Sequence, residues 1–247
     1  MTAEMLHVGT SGWHYDHWQG PFYPGDLPSE GWLAYYAEHL ATVEINNSFY
    51  RLPEAETLWN WRAGTPQGFL FAAKASRYIT HMKKLKDPDE PVANFLGRME
   101  ELGEKLGPIL FQLPPNWNLN LDRLRSFLET LPGGHRFAFE FRDPSWFDEQ
   151  TYEILAAHNA AFCIYELAGR LSPREVTTDW VYVRLHGPGD AYQGKYDAEA
   201  LASWMGTFST WMRQGKDVYC YFDNDEAGYA VQNAMALEAM AEDNDGS

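Results

Sequence analysis

Strand-like runs in which apolar and polar residues alternate recur along this chain, and no other feature constrains its fold as tightly. In 137–142, Phe137, Phe139 and Phe141 fall on one face, while Ala138, Glu140 and Arg142 fall on the other. Segment 180–186 repeats the pattern, with Val181, Val183 and Leu185 opposite Tyr182, Arg184 and His186. Val43 and Ile45 likewise oppose Thr42, Glu44 and Asn46, and Val218, Cys220 and Phe222 oppose Tyr219, Tyr221 and Asp223. Strands of an open parallel sheet, covered by helices on both sides, read as apolar on both faces. A closed barrel gives its apolar parity to the surrounding helices and its other parity to the interior.

Eight short runs rich in β-branched and aromatic residues occur, at 5–10, 42–46, 69–74, 108–112, 136–141, 161–165, 180–186 and 217–223. Helical patterns separate them, at 29–40, 54–62, 87–106, 120–131, 148–158, 197–214 and from Glu226 onward, with Ser29, Asn120 and Asp197 as caps. Only the sixth connection, 166–179 with Gly169 and Pro173, reads as irregular. The expected fold is therefore α/β, a single (β/α)8 TIM barrel with a parallel eight-stranded closed sheet. No linker divides the 247 residues, so the barrel is expected to occupy 1–240 and the acidic, apolar-poor 241–247 to fray.

Composition excludes some partners. No apolar run reaches the ~20 residues of a membrane span, and the N-terminus lacks the order of a signal peptide, so a cytoplasmic protein without membrane contact is expected. With 19 basic and 35 acidic residues the net charge is −16, which argues against a nucleic-acid partner held by a general basic coat. An anionic ligand would need a local cationic pocket. One basic cluster, Lys74, Arg77, His81, Lys83, Lys84 and Lys86, reads either as a solvated loop or as a short nucleic-acid track. Cys163 and Cys220 lie inside apolar strand runs and read as small buried hydrophobes.

On the interior parity, polarity rises toward the C-terminal end of each strand, where Ser11, Lys74 and Gln112 join the residues named above. An unpaired buried ion costs several kcal/mol, so Glu44, Glu140, Lys74, Arg142 and Arg184 form either a packing network or a site. The C-terminal face is where barrels of this type carry their sites. The first connection, 9–31, brings Trp13, Tyr15, Trp18, Phe22 and Tyr23, either as an aromatic collar over this mouth or as a hydrophobic plug.

At these residues the sequence resembles the domain of unknown function 72 (YecE-like) family. The resemblance rests on Gly9-Thr10-Ser11-Gly12-Trp13, Phe22-Tyr23-Pro24, Glu44-Ile45-Asn46 with Phe49-Tyr50, and Phe111-Gln112-Leu113-Pro114-Pro115. It continues in Glu140-Phe141-Arg142, Ser145-Trp146-Phe147, Tyr182-Val183-Arg184-Leu185-His186-Gly187 and Tyr221-Phe222, so it spans nearly the whole chain. It implies a TIM barrel related to sugar isomerases and endonuclease IV-like barrels, without a settled reaction. Two departures stand out: Asn46-Asn47-Ser48 replaces the usual Asn-Ser-Thr, and Phe222-Asp223-Asn224-Asp225 replaces the usual Phe-Asn-Asn-Asp.

The leading expectation is an enzyme that binds a small polar or anionic molecule, sugar-like or phosphorylated, and uses acid/base chemistry. Glu44, Glu140, Lys74, His186 and Asp223 are the catalytic candidates. Ser11, Trp13, Asn46, Tyr50, Gln112, Arg142, Arg184 and Tyr221 are the ligand-binding candidates, the guanidinium forks matching carboxylate or phosphate oxygens. Phosphate-loop and dinucleotide fingerprints are absent, and no cofactor or metal is expected. One alternative is a metal-dependent isomerase or phosphodiesterase with Glu44, Glu140, His186 and Asp223 as ligands. Another is a non-catalytic metabolite-binding protein.

Overall fold

The alternation sorts side chains as a barrel requires. In the computed structural model, which describes residues 5–245, the strands are β1 (Leu6–Thr10), β2 (Thr42–Ile45), β3 (Leu70–Lys74), β4 (Leu106–Leu113), β5 (Phe137–Phe141), β6 (Ala160–Leu167), β7 (Arg170–Leu171), β8 (Trp180–Leu185) and β9 (Asp217–Phe222). All but the two-residue β7 pair in parallel, in the order β1-β9-β8-β6-β5-β4-β3-β2. Between them run α1 (Trp32–Ala37), α2 (Ala55–Ala63), α3 (Asp89–Met99), α4 (Leu121–Leu128), α5 (Glu149–Ala157), α6 (Ala198–Arg213) and α7 (Tyr229–Asp245).

The apolar parity packs against these helices, with Phe111, Phe139, Phe141, Val183 and Phe222 fully buried. Inside the barrel, Trp180, Tyr182, Tyr219 and Tyr221 from β8 and β9 face Ala72, Leu110, Ala138, Ala161 and Cys163 from β3 to β6. Large side chains on one wall meet small ones on the other, which fills the lumen to the density of a protein core.

Closure between β1 and β2 is the weakest part of the ring. A single parallel bridge, Ser11 to Glu44, joins them, and the Gly12 N–H donates to the Glu44 carbonyl at 2.9 Å. Below it Tyr36 of α1 inserts its hydroxyl, which accepts from the Thr10 N–H at 3.1 Å and donates to the Thr42 carbonyl at 2.9 Å. A Cβ on Gly9 would lie 2.2 Å from the Thr42 carbonyl oxygen, so only glycine allows this approach.

Several helix ends differ from their sequence-based bounds. Asn120 caps α4 by accepting from the Arg123 N–H, and Asp197 caps α6 by accepting from the Ala200 N–H, as expected. At Ser29 a 3-10 turn (Ser29–Gly31) opens instead, α1 starts at Trp32 without a side-chain cap, and α7 starts at Tyr229 instead of Glu226. The 87–106 pattern divides into α3 and a 3-10 segment (Glu100–Lys105), which is kinked internally at Gly103, with a φ of 57°. The irregular sixth connection holds a hairpin: β6 turns through Ala168 and Gly169, both at positive φ, into the antiparallel β7. Residues 241–245, expected to fray, continue α7, while 246–247 lie outside the described residues.

Candidate functional site

Polar ends of the interior parity converge at the C-terminal mouth in two levels. The lower level is built around Arg184 of β8, which is fully buried. Its Nη2 donates to Glu44 Oε1 at 2.7 Å, Asp223 Oδ2 at 3.1 Å and Ser11 Oγ at 3.2 Å, and its Nη1 donates to Glu140 Oε2 at 2.8 Å. Glu44 also accepts from the Ser11 hydroxyl at 2.6 Å and from the Tyr182 hydroxyl at 2.7 Å. Burial disfavours the Glu140 carboxylate, but the Arg142 and Arg184 guanidiniums outweigh it and hold the group well below the usual carboxylate range. Both glutamates are thus held as buried counter-ions, their oxygens engaged by protein donors.

Above them, Arg142 donates through Nε to Glu140 and lies over the Tyr165 ring at 5.1 Å. Its Nη2 stands 3.0 Å from His186 Nε2, and Arg184 Nη1 stands 3.3 Å from the same atom. Guanidinium nitrogens only donate, so Nε2 accepts and Nδ1–H donates to Asp223 Oδ2 at 2.9 Å. His186 is fully buried beneath the rings of Tyr165 and Tyr192, at 6.2 and 5.4 Å. Asp223 retains 18% side-chain exposure and opens to the mouth. Burial raises its pKa, but the His186 hydrogen bond and Arg184 outweigh that and leave it below the ordinary value.

Lys74 differs from its neighbours. Among the described residues its ammonium forms no hydrogen bond and no ion pair within 4 Å; it sits 4.4 Å over the Phe49 ring. Burial and then the Arg184 charge push it down to about 8. His81, in a one-turn π-helix (Tyr78–Met82) after β3, meets the same Phe49 ring edge-on at 4.9 Å. Burial, then Lys74, Arg77 and Arg142, push it down to about 4, so it is neutral at pH 7.

Beside these groups lies a cavity of about 460 Å³, lined among others by Gln112, Arg142, Phe147, Tyr165, Ser172 and Tyr192. The Gln112 Oε1 is buried there without a hydrogen-bond partner. The β6–β7 hairpin forms one wall.

Other candidates fall elsewhere. Trp13 is buried against Trp61 and Phe71, on the helix side of β3, away from the mouth. Tyr50 is 74% exposed on the rim, and Tyr221 lies fully buried below the charged level, bonded to Thr42. Asn46 donates to the Ser11 carbonyl and the Tyr15 hydroxyl, fixing the first connection. That connection is a plug more than a collar: Trp18 stacks on Tyr36 and Tyr23 on Trp32, covering the β1–β2 seam from outside. Sequence reasoning missed Tyr165 and Tyr192 and gave His81 no place at the mouth. Tyr165 shares the interior parity of Ala161 and Cys163 and was readable from it, whereas nothing local marks Tyr192.

A metal finds no prepared set of donors. Among the described residues no group of three or more His, Cys, Asp or Glu side chains is arranged to hold one, because Glu44, Glu140, His186 and Asp223 are turned onto the two arginines. No described helix is long and apolar enough to cross a membrane.

Comparison with known proteins matches residues 7–246 to the family described as "Protein of unknown function DUF72". The chain is similar to the UPF0759 protein YecE of Escherichia coli K12, 33% identical over 152 residues, which cover 60% of this chain and about half, 53%, of YecE. It is similar to the UPF0759 protein YunF of Bacillus subtilis along 94% of this chain and 93% of that one, at 27% identity. A solved DUF72 family structure from Thermotoga maritima superposes with a TM-score of 0.87 at 30% identity, covering 96% of this chain and 99% of the other.

Proposed function

The chain belongs to the DUF72 family, and from that premise we propose that it is an enzyme that takes a small anionic molecule into its C-terminal mouth and acts on it by proton transfer. The observation that carries this reading is the unpaired Lys74 ammonium. Arg184 and Arg142 each make contact ion pairs with the carboxylates, whereas Lys74 has none within 4 Å among the described residues. A half-buried cation without a contact partner is partly desolvated at a cost, and a ligand anion would relieve it.

Arg142 would present its outer guanidinium edge to the same anion, held rigid by Glu140 and the Tyr165 ring. Gln112, with an unsatisfied buried oxygen at the cavity, would accept a hydrogen bond from a ligand hydroxyl. The ligand class is therefore an anion that also carries a hydroxyl, such as a hydroxy acid or a sugar phosphate. Asp223, partly open and held by His186, is placed to exchange a proton with it, whereas Glu44 and Glu140 serve as fixed counter-charges. Native mass spectrometry of the purified protein tests this. A small anion should co-purify with wild type and be absent from the Lys74→Met and Arg142→Met variants; retention of the same species by both variants would refute the reading.

A further inference from the structure

Lys105, which is buried, and Lys74, which is half-buried, are treated differently by this fold. Lys105 is 6% exposed, and its ammonium donates to the Arg62 carbonyl at 2.7 Å, the Thr65 carbonyl at 2.7 Å and the Thr65 hydroxyl at 3.0 Å. Every proton of that ammonium is accounted for, as a structural lysine requires. Lys74 has none of these partners. Its Nζ stands over the apolar face of Phe49, and the charges that act on it, from Arg184, Glu44, Glu140 and Asp223, all lie beyond ion-pair distance. Were charge alone required here, an arginine, which keeps its proton when desolvated, would serve better.

What a lysine offers in this setting is an amine. Desolvation and a neighbouring cation are the two conditions that free a lysine nitrogen from its proton near neutral pH, and both hold at Lys74. His81 supplies the next element. Thr80 Oγ1 contacts its Nδ1 at 2.9 Å, and its ring meets Phe49 beside Lys74. Its neutral imidazole is a proton acceptor close to the amine. Asp223, held by His186 and partly exposed, is a carboxylate whose charge also acts on Lys74.

We propose that Lys74 is a catalytic nucleophile that condenses with the carbonyl group of an oxo acid to form an imine. This rests on the anion-binding reading above, since the Arg142 guanidinium would hold the acid group while the adjacent carbonyl meets Nζ. In the addition step the nitrogen lone pair forms a bond to the carbonyl carbon. The π pair moves onto the oxygen, and the oxygen takes up a proton as the nitrogen gives one up, His81 being the group placed to relay it. In the dehydration step the hydroxyl is protonated and leaves as water, the nitrogen loses its remaining proton, and a C=N bond remains. Nothing is oxidised or reduced, and the only co-product is water.

The test is reductive trapping of the full-length protein with pyruvate and sodium cyanoborohydride, read by intact mass and peptide mapping. Hydride reduces the imine and fixes a carboxyethyl group on the nitrogen that formed it. The expected result is one such group per chain, on Lys74, formed about tenfold faster than on any other lysine and abolished in Lys74→Arg. Stabilisation of each protein by lactate, which has the acid and hydroxyl but no carbonyl, is measured in parallel by thermal unfolding. Labelling spread over surface lysines, with lactate still stabilising wild type, contradicts the imine alone. Absence of both trapping and lactate stabilisation contradicts the anion-binding reading with it.

Discussion

Ser11 and Glu44 are joined twice: their backbones form the parallel bridge that closes the barrel, and the Ser11 hydroxyl donates to the Glu44 carboxylate at 2.6 Å. The seam of the fold and the counter-ion of Arg184 are thus the same contact. Glu44→Gln leaves Arg184 short of one charge and is expected to cost about 3–5 kcal/mol. Ser11→Ala removes one hydrogen bond to an ionised group, about 1.5–3 kcal/mol. Urea unfolding of both variants checks the order, Glu44→Gln the larger loss.

Tyr36→Phe isolates the seam from the site. The lost hydroxyl leaves the buried Thr10 N–H and Thr42 carbonyl without that partner, for about 1–3 kcal/mol of stability. Lactate stabilisation at the mouth should be unchanged, because Tyr36 touches no group there. A lactate response that falls with the seam would show that the two are mechanically coupled.

Acid stability follows from Glu140 and Asp223. Both carboxyls titrate lower in the folded chain than the ~4 of an unfolded one, so the unfolded chain takes up protons first as pH falls. Their contribution is whole above about pH 5 and is lost progressively below about pH 4. The urea midpoint should decline modestly below about pH 6.5, where the unfolded chain protonates His81 before the folded one does, and drop more steeply below about pH 4. A midpoint that stays level down to pH 3 would mean these carboxylates are not held by the arginines.

Lys74 gives the opposite slope. Its folded value of about 8 lies below the ~10.4 of an unfolded lysine, so holding the charge at pH 7 costs stability that is recovered as pH rises between them. Lys74→Met is expected to stabilise the protein by on the order of 1–3 kcal/mol at pH 7, and to lack the alkaline gain expected of wild type between pH 7.5 and 10. Paired denaturation curves at the two ends of that range measure both effects.

Much of this was legible before the coordinates. Runs of β-branched and aromatic residues placed the eight barrel strands, and period-two alternation in four of them put Glu44, Glu140, Arg184, His186 and Asp223 on the interior face, because parity is a local property that tertiary packing seldom reverses. The pairing among them was not legible, since which carboxylate meets which guanidinium depends on strand stagger around the ring. The sequence reads Glu44 and Glu140 as proton carriers, and the structure adds that both are ion-paired with arginines. The direction of the first connection was equally hidden, because Trp18 meets Tyr36 and Tyr23 meets Trp32 only once α1 is docked. Tyr192 reaches His186 through a loop turned by Gly187 at a φ of 115°, a geometry with no sequence period behind it.

Calorimetric titration of lactate and of inorganic phosphate, at constant ionic strength, into wild type, Lys74→Met and Arg142→Met bears most directly on the central claim, that the upper level of the mouth is an anion site. One-to-one binding to wild type, weakened about tenfold or more in both folded variants, is the predicted result. Equal binding to all three proteins, or none to wild type, would contradict it.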